Sequence, residues 1–545
     1  MRTIRLLIAT ACGLMAVFSY SVQSAEQSID QPAAEKVAIR FLEALSAGPG
    51  QDLDSLSESQ FSAEMRERIG ADGMQDFLGM LTEDFAGIDA ADAVREVTAN
   101  GDSWDVLVVN DFNQRYLFEL SFSGSTDPKI SGIMLNQLPQ EVPKVAPKGI
   151  AAAVEKYLAD RVAENDFSGA VLIAKNNDII YAHAFGMADV EAKRPNTLDT
   201  PLNLGSMNKM FTSLLVGRLV SDGTLNWDDK VGEHLPELPN KRVRDEVTLH
   251  QLLTHTSGVG SYWNQSYEES KHGLDSVDGF LATFINEPLL FDPGQGNAYS
   301  NGGPVILGLI IEKYMDMSYY EAVRRFIYQP AGMKHSDHYQ TTDKTAGLAI
   351  GYYQGPDGLA SNSEQLGLMG SPAGGGYASA NDLLQFSNAL ASGILLDRDT
   401  LDQIWTPYAE LGPDFGYGYL WGIGSLNNRR WVGHNGGSPG VSADYRYYPG
   451  SGFTVIVLAN RDQIAAPVSD WLNELITRSA DSLIRAAVYS SSPSASTKIV
   501  PLAAPGAVMP SKADRVGATS TGCTSRCTTR PEIPAPAKIM GTWVS

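Results

Sequence analysis

The chain has 545 residues, a formal net charge of −22, and 43% hydrophobic against 19% charged residues. That length suffices for two or more domains with a large core. The acidic excess argues against non-specific nucleic-acid binding, which needs a basic surface.

Residues 1–25 read as a secretory signal peptide. Arg2 and Arg5 form its charged start, 6–17 its apolar run, and 22–25 offer small residues for cleavage. The run is short for a bilayer span, which disfavours the alternative of an uncleaved anchor. No later stretch is apolar and long enough to cross a membrane. The expected location is periplasmic or secreted. After cleavage only Cys523 and Cys527 remain. A disulfide between them would close a short loop and stabilise little, and no histidine stands near to make a zinc site.

Residues 26–137 read as a small α+β domain. Val37, Phe41 and Leu45 keep helical spacing after Pro32, and further helices are predicted near 59–69 and 74–85. The period then changes to two. Asn100-Gly101 marks a hairpin between 94–99 and 104–109, and Tyr116, Phe118, Leu120 and Phe122 alternate as in a half-buried strand. Helices followed by an antiparallel sheet resemble NTF2-like domains. Three prolines make 138–149 a stiff linker. A helix over 150–164 presents Val154, Leu158 and Val162. Strand-like runs at 169–175 and 179–185 follow, joined by the turn Asn176-Asn177-Asp178.

The stretch Ser206-Met207-Asn208-Lys209 opens a helical run to Val220 that ends at Gly223. Its apolar positions are broad enough for burial on most sides. Ser206 and Lys209 lie one turn apart on one face. A serine hydroxyl needs a neighbouring base or cation to become a nucleophile, and burial makes a lysine amine a proton acceptor. Alone, an S-x-x-K string is more often a solvated helix face.

Further on, His255 in Leu-Leu-Thr-His-Thr-Ser-Gly fits a hydrogen-bonded loop better than a catalytic base. Tyr299-Ser300-Asn301 lies on a loop entering a buried helix from Gly302. A lysine beside Tyr299 would favour phenolate, and the Asn301 amide can donate to a carbonyl. Gly374-Gly375-Gly376 permits close backbone packing, and Asp382 reads as part of a helix cap after Ser379. Strand-like runs are predicted at 421–425, 429–433, 441–448 and 453–459. Between the second and third lies the glycine-rich stretch His434-Asn435-Gly436-Gly437, whose accessible backbone can offer an amide to an oxyanion. A last helix spans 465–486, and 487–545 has the composition of a disordered tail.

Ser206-x-x-Lys209, Tyr299-x-Asn301 and His434-Asn435-Gly436, in that order, resemble the three motifs of the serine β-lactamase and penicillin-binding-protein superfamily. Within it, the class C and family S12 branch, with its peptidases and family VIII esterases, is most similar. Leu252-Leu253-Thr254-His255-Thr256-Ser257-Gly258 and Pro330-Ala331-Gly332-Met333 support this, and the likeness covers about 148–480. The resemblance implies an α+β fold for 150–486: an antiparallel sheet flanked by helices, with an added helical region. It implies that Ser206 forms an acyl-enzyme, that Lys209 and Tyr299 share base work, and that Asn301, His434, Asn435 and Gly436 orient substrate. It implies an oxyanion hole from the backbone amides of Ser206 and Gly437, and no metal or cofactor. Expected substrates are small esters, amides or β-lactams. A non-catalytic cell-envelope binding protein is the alternative of another class. His434 stands where a lysine is usual and Asn435 where a hydroxyl residue is usual. Both changes disfavour efficient β-lactam hydrolysis and fit an esterase or a D-amino-acid peptidase better; short acyl esters are the expected substrate, with a D-amino-acid peptidase or weak β-lactamase as the alternative.

Overall fold

The computed structural model describes residues 31–490, apart from 49–51, 86–93, 101–102, 110–114, 125–126, 139–141, 164–166, 344–345, 356–357 and 413. The expected signal peptide, most of the expected tail and all three cysteines lie outside the described residues.

Helices Gln31–Ser46, Leu53–Gln60, Ala63–Ile69 and Ala71–Asp84 precede a four-stranded antiparallel meander, Val94–Asn100, Ser103–Val109, Arg115–Ser123 and Lys129–Leu138. Phe41, Leu45, Phe61, Leu78, Val106, Phe118 and Leu120 form a core of their own. The single helix expected near 59–69 is two. Phe61 bridges Ile130, and the Ser62 amide donates to the Ile130 carbonyl at 2.9 Å, so the break is docked on the last strand. Ser62 Oγ then caps the next helix by accepting from the Met65 amide.

Past this unit, an eight-stranded antiparallel sheet runs in the order Ala409–Gly412, Phe415–Tyr417, Gly422–Leu426, Arg429–Ser438, Val441–Tyr448, Phe453–Ala459, Gly169–Lys175, Asp178–Phe185. Its central strands are buried on both faces, which explains their nearly continuous apolar sequence. On Phe453–Ala459, Val455 and Val457 join the cluster under helices Ile150–Ala163 and Ala465–Ser490. Ile456 and Leu458 join the cluster that holds helix Lys209–Ser221. Short helices from Val231–His234 to Val277–Ala282, then Gly302–Met315, complete the second layer. Two findings modify the sequence reading. Val142 of the expected linker is buried in the first of these clusters, and Arg478 Nη1 donates to its carbonyl at 3.3 Å. The third motif lies within a strand: Arg429–Ser438 continues through the glycines, and the turn comes only at Pro439-Gly440.

Candidate active site

Gly205–Asn208 makes one turn of 3-10 helix, and the α-helix proper begins at Lys209. Gly205 sits at φ +50°, a conformation that glycine adopts at no steric cost. This tight turn leaves Ser206 half-buried at the cleft and puts Lys209 beneath it, fully buried. Lys209 Nζ lies 3.2 Å from Ser206 Oγ, 2.7 Å from Asn301 Oδ1 and 2.7 Å from the Ala373 carbonyl.

The loop before helix Gly302–Met315 supplies the second group. Lys209 Nζ stands 4.6 Å from the Tyr299 ring centroid, and the Tyr299 hydroxyl is hydrogen-bonded to Ser206. Asn301 turns its oxygen to Lys209 and donates its amide to Ser261 Oγ at 3.2 Å. That amide, expected to serve substrate, already has a partner in Ser261.

Strand Arg429–Ser438 closes the other side. A Cβ on Gly436 would stand 1.9 Å from the Leu204 carbonyl oxygen and 2.9 Å from the Ser206 amide nitrogen. Only glycine lets the strand approach the serine turn this closely. A Cβ on Gly205 would meet the Gly437 amide nitrogen at 2.8 Å. The Ser206 and Gly437 amides thus border one small region of the cleft. Asn435 is half-buried on the same strand. The loop 370–376 wraps the lysine from below. Gly375 donates to the Gly205 carbonyl at 3.2 Å, Leu204 donates to the Gly376 carbonyl at 2.8 Å, and Thr212 Oγ1 donates to the Pro372 carbonyl at 2.7 Å. The triple glycine serves close backbone packing.

Burial decides the protonation of the site. It holds the Lys209 amine well below the usual lysine range, so the neutral amine is favoured. It also pushes the Tyr299 phenol well above its ordinary value, with the Ser206 hydrogen bond acting in the opposite sense and Tyr262 adding to the rise. The expected phenolate is therefore corrected: a buried neutral amine supplies no cation to stabilise it. His434 is neutral as well. It is buried, and its Nδ1–H donates to the Asn435 carbonyl at 2.5 Å while Tyr417 Oη donates to Nε2 at 2.8 Å. Burial pushes its imidazole down to about 3. Both nitrogens are engaged and the ring is neutral, so it brings no positive charge to a substrate carboxylate.

Sequence reasoning missed the Ala373 carbonyl, Ser261 and Tyr417. Backbone acceptors leave no residue signature, and the other two are ordinary polar positions until the fold brings them in. Asp382 does more than cap its helix: its carboxylate accepts from the Lys334 and His335 amides and from Ser336 Oγ, pinning that loop. Among the described residues no group of three His, Cys, Asp or Glu side chains is placed to hold a metal ion. No described helix is long and apolar enough to cross a membrane.

Comparison with known proteins agrees with this geometry. The Beta-lactamase family model matches residues 154–478. Penicillin-binding protein 4* of Bacillus subtilis is 32% identical over 317 residues, covering 55% of this chain and 69% of that protein. Esterase EstB of Burkholderia gladioli is 31% identical over 315 residues, 50% of this chain and 79% of the esterase. The crystal structure of a penicillin-binding protein from Bacillus halodurans superposes with TM-score 0.54 at 30% identity, covering 58% of this chain and 98% of that one. The match over most of the folded chain, together with the sheet, the helical layer and the three motifs meeting in one cleft, makes this chain a member of the β-lactamase family, a serine hydrolase.

Proposed function

We propose that the protein is an exported carboxylesterase-type hydrolase of short acyl esters, with Ser206 as nucleophile and Lys209 as its base. One observation carries this reading: the hydrogen-bond count of Lys209. A neutral amine has two N–H bonds and one lone pair. Asn301 Oδ1 and the Ala373 carbonyl accept the two hydrogens, which leaves the lone pair for the Ser206 hydroxyl. As Ser206 Oγ bonds to the ester carbonyl carbon, its proton passes to the amine. The Ser206 and Gly437 amides stabilise the oxyanion, an effect typically worth about 3–4 kcal/mol of barrier per donor. The carbonyl reforms, the C–O bond to the alcohol breaks, and the protonated Tyr299 phenol delivers a proton to the departing oxygen and is reprotonated by Lys209. Water then attacks the acyl-enzyme, gives its proton to the same pair, and the Ser206 oxygen leaves protonated with release of the acid.

Ester preference is supported by the charge of the cleft. Neutral His434 and Asn435 offer no anchor for the carboxylate of a D-amino-acid peptide or β-lactam. Relatives named as penicillin-binding proteins favour a second reading, acylation by β-lactams with slow turnover. Export rests on the composition of residues 1–25 alone. The test is hydrolysis of p-nitrophenyl butyrate by the parent and by Ser206→Ala, alongside nitrocefin turnover and D-alanine release. Equal ester rates in the two proteins reject the proposal. Turnover of nitrocefin or D-alanyl peptide above that of ester transfers it to the second reading.

A further inference from the structure

We propose that His255 is a positioning residue for Tyr299, gripping the backbone on both sides of it. The inference rests on Tyr299 acting with Ser206 as above. The Ala298 amide donates to the His255 carbonyl at 3.0 Å, and the Ser300 amide donates to His255 Nδ1 at 3.1 Å. Tyr299 lies between those two donors. The His255 ring also packs against the Tyr299 ring, centroids 4.5 Å apart, and against Tyr417 at 4.8 Å on the way to His434. His255 is fully buried and held at φ +60°. Few non-glycine residues adopt that conformation, histidine and asparagine among them.

The surrounding contacts show why the ring matters. Gly294 donates to the Thr256 carbonyl at 2.8 Å, Leu290 to the Gly258 carbonyl at 2.8 Å and Gly302 to the Gly260 carbonyl at 3.0 Å. These are main-chain rungs, made by no side chain. The rung at Ser300 is made by a side chain, on a residue that is itself fully buried. Because Nδ1 accepts from an amide, the ring proton resides on Nε2. Burial holds the imidazole well below its usual value, so this acceptor persists at working pH. His255 is thus the hydrogen-bonded loop residue that its sequence suggests, with a further role. It fixes the phenol relative to Ser206.

The test compares His255→Gly with His255→Asn. Both residues accept a positive φ, but only asparagine restores a side-chain acceptor near the Nδ1 position. With p-nitrophenyl butyrate, His255→Gly is expected to lower kcat by about 100-fold with KM within about threefold, as for a displaced catalytic group. His255→Asn is expected to recover most of that kcat. Both are assayed well below their unfolding midpoints. A glycine variant that keeps kcat within about threefold of the parent, or an asparagine variant as slow as glycine, overturns the inference. Should His255→Gly not fold, His255→Gln takes its place, its amide carried one bond beyond the Ser300 N–H. Ser206→Ala and Tyr299→Phe run in parallel. If both of these stay active, the proposed function has failed; if both are inactive while the His255 variants are not, only the positioning role has failed.

Discussion

Asn301 Oδ1 accepts an N–H of Lys209 at 2.7 Å, so the second motif sets the direction of the lysine's remaining lone pair. The consequence is that charge alone cannot replace Lys209. Arginine does not deprotonate in proteins. Lys209→Arg is expected to lose at least about 1000-fold in kcat/KM for p-nitrophenyl butyrate, although it keeps a basic side chain. The rate of Ser206 labelling by a fluorophosphonate should fall in parallel. The pH profile of the parent should show its acid limb well below the ordinary lysine range, because only the neutral amine is competent and activity is lost as it gains a proton.

Gly436 and Gly437 are neighbours with opposite tolerance. A methyl at Gly436 would stand 1.9 Å from the Leu204 carbonyl oxygen, while at Gly437 the nearest atom, the Val441 carbonyl oxygen, is 3.8 Å away. Gly436→Ala should cost about 1–3 kcal/mol through overpacking and spread the Ser206 turn from the strand. Gly437→Ala should stay within about 0.5 kcal/mol of the parent. Urea unfolding midpoints check both, and fluorophosphonate labelling reports the state of the serine turn.

Tyr417→Phe leaves the ring packing in place and removes the donor to His434 Nε2. A buried acceptor without its donor costs about 1–3 kcal/mol. The variant should therefore unfold earlier, with ester hydrolysis reduced less than about tenfold, because the bond it removes is to His434. Loss of ester hydrolysis comparable to Ser206→Ala would contradict this separation of roles.

Acid should destabilise the fold through its buried histidines. His338 and His434 are both pushed down to about 3 by burial, with Arg324 adding at His338. Their folded values lie below the unfolded value, so the unfolded chain binds more protons between about pH 3 and 6.5, and stability falls as pH drops through that window. Each should cost about 1 kcal/mol between pH 7 and 5.5. His338→Gln should flatten the pH dependence of the unfolding free energy by nearly one proton between pH 5 and 6. An unchanged slope would show that His338 is protonated in the fold.

Much of the site was legible because chemistry here is carried by short strings. The 206–209 spacing places serine and lysine on one face, and 299–301 stands before an apolar helix that had to be buried. The strands at 169–175 and 453–459 announced themselves through continuous apolar runs. What escaped depended on partners remote in sequence. Lys129–Leu138 holds glycine and polar residues that hide its strand period, and it shows itself only by pairing with Arg115–Ser123. A lysine beside Tyr299 suggests phenolate, but the burial that discharges the lysine also keeps the phenol protonated. His434 likewise has the sequence position of an anchor, but its ring is engaged by Tyr417 and the Asn435 carbonyl.

The sheet joins the two extremes of the hydrolase region. Gly169–Lys175 pairs on one side with the next strand made, Asp178–Phe185, and on the other with Phe453–Ala459. During translation, Ser206 and Lys209 leave the ribosome well before Phe453–Ala459, the strand on which their helix is seated. The nascent chain therefore remains open, and catalytically silent, until that strand has been made.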